Sequence, residues 1–164
     1  MQHVRFTSQQ IRILGLAHLI EQLPDHLFNM ECWLHEDYGP SCIAGWAVWE
    51  MVGLRHDRRD IMRSMSIPEE AARYLGVYGL GMRSLFTPVW TDLHDGPPTD
   101  DEAGNEVRRR ISKRWAAATL RHLAATGEVD WKAAKRLMRA PPCAWRPVTD
   151  SYRWLQGATG EVVA

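Results

Sequence analysis

Apolar residues recur at helical spacing near the start of the chain. Thr7 or Ser8 is suited to cap a first helical turn, and Pro24 ends the pattern. The predicted first helix places its apolar face along Ile11, Leu14, Leu16, His18, Leu19, Ile20 and Leu23.

A second apolar run extends from Ile43 to Val52 and ends at Gly53, after a linker over 25–40 that is rich in polar residues. This run is apolar nearly all round, which is typical of a buried helix. We therefore expect a central helix with Ile43, Ala47, Val48 and Met51 in the core.

Helix start and stop signals predict three further elements. Ser66 and Pro68, followed by two glutamates, begin a short helix that Gly76 ends. A second short helix is predicted over 78–86. The proline- and glycine-rich stretch 87–104 is predicted to be a loop.

The longest predicted helix begins after Asn105 and ends at Gly127. Its apolar face contains Val107, Ile111, Trp115, Ala118 and His122, and its opposite face carries Arg108, Arg109, Arg110, Lys113, Arg114 and Arg121. Asp130 then caps a helix over 131–139, which two prolines follow.

These elements predict an all-α fold: a compact bundle of about five to six helices, with a Pro/Gly-rich loop and an irregular C-terminal tail. A chain of 164 residues has the length of one domain, and folding can remove roughly two-thirds of its unfolded surface from water. We assign residues 1–164 to a single helical domain, with 147–164 as a loosely packed tail.

Composition narrows the classes of function. Twenty Lys and Arg residues balance twenty Asp and Glu residues, so no global charge favours nucleic acid or an anionic membrane. The start of the chain does not read as a signal peptide, and no apolar run has membrane-spanning length. With three sparse cysteines, we expect a cytoplasmic protein with reduced thiols. The eight tryptophans are expected mainly to fill the core.

Cys42 is the sharpest catalytic candidate. A thiol in the first turn of a helix meets unpaired N–H groups, which lower its pKa. The Gly-Pro-Ser-Cys sequence resembles the nucleophile segments of papain-like and transglutaminase-like enzymes, for which His94 or His122 would supply the base. The competing interpretation is a buried structural cysteine. The sequence alone leaves open whether the chain is an enzyme.

Cys32, His35 and Cys42 form a series with ligand types that zinc prefers. No second close pair completes it, so we predict neither a bound metal nor another cofactor.

A binding surface is the preferred functional hypothesis. Clustered basic side chains can bind an acidic protein or phosphates, and the candidate binding residues are Arg108, Arg109, Lys113 and Arg114. Trp33 and Trp90 are the next candidates if this basic face is ordinary surface. We expect a protein partner, with nucleic acid as the alternative, because no nucleic-acid-binding motif is present. An ordinary solvated helix face is the other interpretation.

Two motifs resemble a known group of proteins. Asn29, Met30 and Trp33 precede the segment Cys42 to Ala47, which reads Cys-Ile-Ala-Gly-Trp-Ala. This arrangement resembles an uncharacterised group of small bacterial and phage proteins. Further landmarks are Ala71, Ala72, Leu75, Gly76, Leu85, Phe86, Thr126, Gly127, Val129, Asp130 and Trp131. The resemblance implies a bacterial or phage accessory protein and no particular activity.

Overall fold

The computed structural model describes residues 6–35, 39–53, 57–97 and 106–139. Within these ranges 68% of the residues are helical, and the sheet has two short strands. The predicted all-α class is confirmed. Six of the described α-helices have eight or more residues, in line with the predicted five to six, and three are shorter.

Helix α1 spans Ser8–Gln22 and begins with a capping box. The Thr7 hydroxyl accepts a hydrogen bond from the Gln10 N–H at 3.1 Å, and the Gln10 side chain accepts one from the Thr7 N–H at 2.9 Å. The predicted start is therefore confirmed. The predicted face is wrong at its edge, because burial centres on Ile13, Leu16, Ala17 and Ile20 and leaves Ile11 and His18 exposed.

The linker after α1 contains a 3-10 turn and a small hairpin. The turn is Asp25–Leu27, and strand β1 (Leu34–His35) pairs antiparallel with β2 (Gly39–Pro40). Helix α2, Ile43–Val52, begins directly after this hairpin. The backbone of Trp33 lies against the first turn of α2, where Gly45 leaves room for it.

Helix α2 is central, as predicted. Ile43, Ala47 and Val48 have no exposed surface, whereas Met51 is only half-buried. The helix packs mainly against α4, Ile67–Leu75, with the short α3, Arg58–Arg63, between them in the chain. Gly76 ends α4 in the left-handed conformation with φ 67°, which confirms that stop signal.

Helix α5 spans Gly79–Phe86, in agreement with the prediction. The predicted loop over 87–104 is wrong in its first part, because Trp90–Leu93 forms the short helix α6. The Asp92 carboxylate accepts a hydrogen bond from the Val89 N–H at 2.8 Å and so stabilises that turn. Residues 98–104 of the predicted loop lie outside the described ranges.

The single long helix predicted after Asn105 is wrong. The chain forms α7, Glu106–Arg109, and then α8, Lys113–Thr126. Ser112 separates them: its backbone is extended, and its hydroxyl accepts a hydrogen bond from the Trp115 N–H at 3.2 Å. Helix α9, Trp131–Arg139, follows as predicted, with the Asp130 carboxylate accepting from the Ala133 N–H at 2.7 Å.

Helix α8 packs against α1 on one side and α9 on the other. One buried cluster joins α1, α2, α4, α5, α8 and α9. Trp46, Trp115 and Trp131 are buried in it, which confirms the core role expected for these tryptophans. The predicted tail over 147–164 and Cys143 lie outside the described ranges. Within those ranges, the helices are too short or too polar to cross a bilayer.

Candidate functional site

Cys42 occupies the helix position predicted for it, and its surroundings distinguish between a reactive and a structural thiol. The residue is the N-cap of α2, and its sulfur accepts a hydrogen bond from the Gly45 N–H at 3.5 Å. Burial nevertheless raises the pKa of the thiol from 9.0 to about 12, because desolvation of the thiolate outweighs that hydrogen bond. The lowered pKa expected of a nucleophile at Cys42 is therefore wrong, and the burial of the thiol agrees with the alternative of a structural cysteine.

The two histidines considered as bases lie in other surroundings. His94 stacks on Trp90, with ring centroids 4.2 Å apart, and meets the edge of Trp115 at 6.4 Å. His122 is half-buried on α8, which packs between α1 and α9. The structure thus places His94 in an aromatic cluster with Trp90 and Trp115.

A different polar cluster lies at the hairpin. The Cys32 thiol donates to Ser41 Oγ at 3.3 Å, and His35 Nε2 lies 3.1 Å from the same oxygen. Ser41 in turn donates its only hydroxyl hydrogen to the Asn29 carbonyl at 3.0 Å, so the histidine nitrogen must be the donor in their shared bond. The fully buried Ser41 is therefore saturated as an acceptor, and the cluster ties the hairpin to the start of α2.

This cluster also bears on the zinc hypothesis. Cys32 and His35 both bind Ser41, while the Cys42 sulfur is engaged at the helix start. Over the described part of the chain, no three His, Cys, Asp or Glu side chains form a group suited to a metal ion. Cys32 and Cys42 are free thiols.

The predicted basic face is divided between two helices, and much of its charge is paired. Arg109 binds Glu31 at 2.7 Å and Glu106 at 3.4 Å. Lys113 binds Asp25 at 2.9 Å and also donates to the Leu23 carbonyl. These ion pairs connect α7 and α8 to the segment that follows α1.

Arg121 also pairs with an acidic residue of another element, since its guanidinium forms a bidentate ion pair with Glu21 of α1. Of the other basic residues chosen from the sequence, Arg108 is half-buried and Arg114 is exposed. Arg109, Lys113 and Arg121 therefore form ion pairs that connect elements of the fold. The predicted basic residues do not form one open surface.

The two tryptophans proposed for binding belong to different elements: Trp33 directly precedes β1, and Trp90 begins α6. Trp33 packs against the core beside α2 and offers its carbonyl oxygen to the Ser41 N–H at 3.1 Å. Trp90 is half-buried at the start of α6, where its indole N–H donates to the Gly96 carbonyl at 2.8 Å. Of the two, only Trp90 lies on α6, a helix that borders an open groove.

An open groove of about 520 Å³ lies where α5, α6 and α7 meet. Helix α5 contributes Leu80, Arg83 and Ser84, which share one helix face by their spacing, and α7 contributes Arg108. The opposite face of α5 buries Leu85 and Phe86 in the core. Further lining residues come from the turn into α6 and from α6 itself: Thr87, Pro88, Val89 and Asp92.

The rim of the groove is apolar and exposed. Leu80 is 83% exposed and Val89 57%, and the neighbouring Tyr78 is also exposed. Exposed apolar side chains grouped beside a concavity are typical of interaction sites in soluble proteins. This surface, which we call the α5–α6 groove, is the best candidate for a binding site in the described part of the chain.

The α5–α6 groove was not predicted from the sequence. The one available signal was Leu80, which lies out of phase with Leu85 and Phe86 on the predicted helix over 78–86. Arg108 was chosen as a binding residue, but the partners that surround it in the groove are 16 to 28 positions away in the chain.

Comparison of this chain with protein-family models, with curated proteins and with solved structures gives no match in any of the three. The resemblance to small bacterial and phage proteins stays a prediction based on the motifs alone.

Proposed function

We propose that this chain acts by binding another protein, as an accessory protein, and that the α5–α6 groove is its contact surface. The observation that supports the proposal is the exposed apolar rim, Leu80 and Val89, beside an open groove. Hydrophobic side chains at this degree of exposure become stabilising when a partner covers them.

The cysteine-dependent hydrolase is less well supported. Such an enzyme needs an accessible thiolate beside a base. Cys42 has no exposed surface and a raised pKa, so at neutral pH it stays a buried thiol.

Affinity capture from a bacterial lysate tests the proposed function. The bait is the full chain, compared with a Leu80→Ser/Val89→Ser variant and with an Ile11→Ser control. Ile11 is 49% exposed on α1, so the control removes apolar surface of a similar kind away from the groove. We expect a protein that the parent and the control retain and the groove variant loses. Equal retention by all three baits, or retention by none, would contradict the proposal.

A further inference from the structure

The α5–α6 groove contains charges as well as an apolar rim. Arg83 lies on its α5 wall and is exposed, and no ion pair joins it to another described residue. Arg108 lines the groove from α7. The groove therefore carries two guanidinium groups, of which Arg83 faces solvent.

The Asp92 carboxylate, which lines the groove, is already hydrogen-bonded within the fold. Asp92 Oδ1 accepts a hydrogen bond from the Ser84 hydroxyl at 2.9 Å, and Asp92 Oδ2 accepts one from the Val89 N–H at 2.8 Å. These bonds hold the carboxylate at the start of α6, where it stabilises the helix turn. The exposed guanidinium of Arg83 is thus left for an external anion.

We infer that the partner presents a short acidic segment with an apolar anchor: a Leu- or Phe-like side chain between Leu80 and Val89, and an Asp or Glu carboxylate on Arg83. This inference rests on the proposed function and specifies its partner. A guanidinium pairs well with a carboxylate because two parallel N–H···O bonds can form.

Nucleic acid fits this surface less well. Phosphate binding depends on several cations along a backbone, whereas the groove lining combines two guanidiniums with the Asp92 carboxylate and an apolar rim. The rim offers nothing to a sugar–phosphate chain, but it can cover an apolar side chain. A protein segment therefore satisfies both parts of the groove.

The test is selection from a displayed library of random 12-residue peptides on the full chain, followed by anisotropy measurements with the enriched peptides and with mixed single-stranded DNA and RNA. We expect enriched sequences to combine Asp or Glu with Leu or Phe. Selection on Arg83→Glu should shift the enriched charge to Lys and Arg, because the groove then has the opposite sign. The affinity for an acidic peptide should fall at least about tenfold in Arg83→Glu. It should fall less in Arg83→Lys, because lysine keeps the positive charge but lacks the planar guanidinium that makes two parallel hydrogen bonds.

The matched control is Arg114→Glu, which reverses an exposed charge on α8 outside the groove and should leave the peptide affinity unchanged. Circular dichroism checks that each variant is folded. Any of four results would overturn the inference. The selection could enrich neutral or basic peptides, or enrich none. Arg83→Glu and Arg114→Glu could lose peptide affinity equally, or nucleic acid could bind more tightly than the peptides. If the lysate protein is still lost only in Leu80→Ser/Val89→Ser, the proposed function survives that result. If no lysate protein depends on these residues, the proposed function itself fails.

Discussion

The close approach between the hairpin and α2 makes Gly45→Ala a sharp test of the fold. A methyl group at this position would overlap the Trp33 carbonyl oxygen, 3.3 Å from the carbonyl carbon and 3.4 Å from the Pro40 Cα. All of these atoms belong to the backbone, so no flexible side chain can move aside. The hairpin would have to move away from the helix.

That movement has a definite free-energy cost. Overpacking a close-packed site costs about 1–3 kcal/mol. The Trp33 carbonyl also accepts the Ser41 N–H at 3.1 Å, and loss of a buried hydrogen bond costs about 1–3 kcal/mol. Alanine is about 1 kcal/mol better than glycine inside a helix. The sum is a loss of roughly 1–5 kcal/mol in the free energy of unfolding, with about 3 as the central value.

The assay is urea denaturation followed by tryptophan fluorescence, with Gly15→Ala as the matched control. Gly15 is exposed in the middle of α1, and a methyl group there would meet nothing within 4 Å. The free energy of unfolding of the control should therefore rise by about 0.5–1 kcal/mol. The same substitution thus stabilises the protein at Gly15 and destabilises it at Gly45. A Gly45→Ala protein as stable as the control would refute the close approach described here.

Three further predictions follow from burial. Ile43→Ala should lower the free energy of unfolding by about 2–5 kcal/mol, against less than about 1 for exposed Ile11→Ala, as urea midpoints will show. N-ethylmaleimide should label half-buried Cys32 well before fully buried Cys42 in the native protein, and comparable rates measured by peptide mass spectrometry would contradict the burial of α2. Because the folded pKa of Cys42 is raised from 9.0 to about 12, its contribution to stability is complete below the unfolded pKa and is lost as pH rises from there towards the folded value. Between about pH 8 and pH 10 the free energy of unfolding of the parent should therefore fall by about 1.4 kcal/mol more than that of Cys42→Ala. An equal fall in the two proteins would contradict this prediction.

Elements whose signals are local could be predicted from the sequence. The capping groups Thr7 and Asp130 and the stop at Gly76 act within one helical turn, so their chemistry is visible in a few adjacent residues. The break at Ser112 was missed although serine is a good capping residue. The apolar spacing of Val107, Ile111 and Trp115 continues across it, and all three are buried on either side of the break. Periodicity alone therefore could not separate one helix from two.

The choice between a reactive and a buried structural Cys42 could not be made from the sequence for a related reason. A helix start lowers the pKa of a thiol through nearby N–H groups, and that local effect is present here. Desolvation depends on everything packed around the sulfur, including residues distant in sequence, and it is the larger effect. Three residues that determine the surroundings of the hairpin, Cys32, His35 and Ser41, carry ordinary polar side chains whose mutual contacts appear only in the fold.

The distribution of ion pairs favours the α5–α6 groove over the arginine-rich helices α7 and α8 as the proposed interaction surface. Arg109, Lys113 and Arg121 each meet an acidic residue from the N-terminal part of the chain, so their charges connect helices within the fold. Reversing them to glutamate would place like charges together inside these contacts and would change stability along with any binding. Arg83 has no such described partner and stands beside an exposed apolar rim. A charge that the fold leaves unneutralised next to apolar surface is the combination that an external acidic and apolar segment can complete, and the α5–α6 groove has this combination at Arg83 and Leu80.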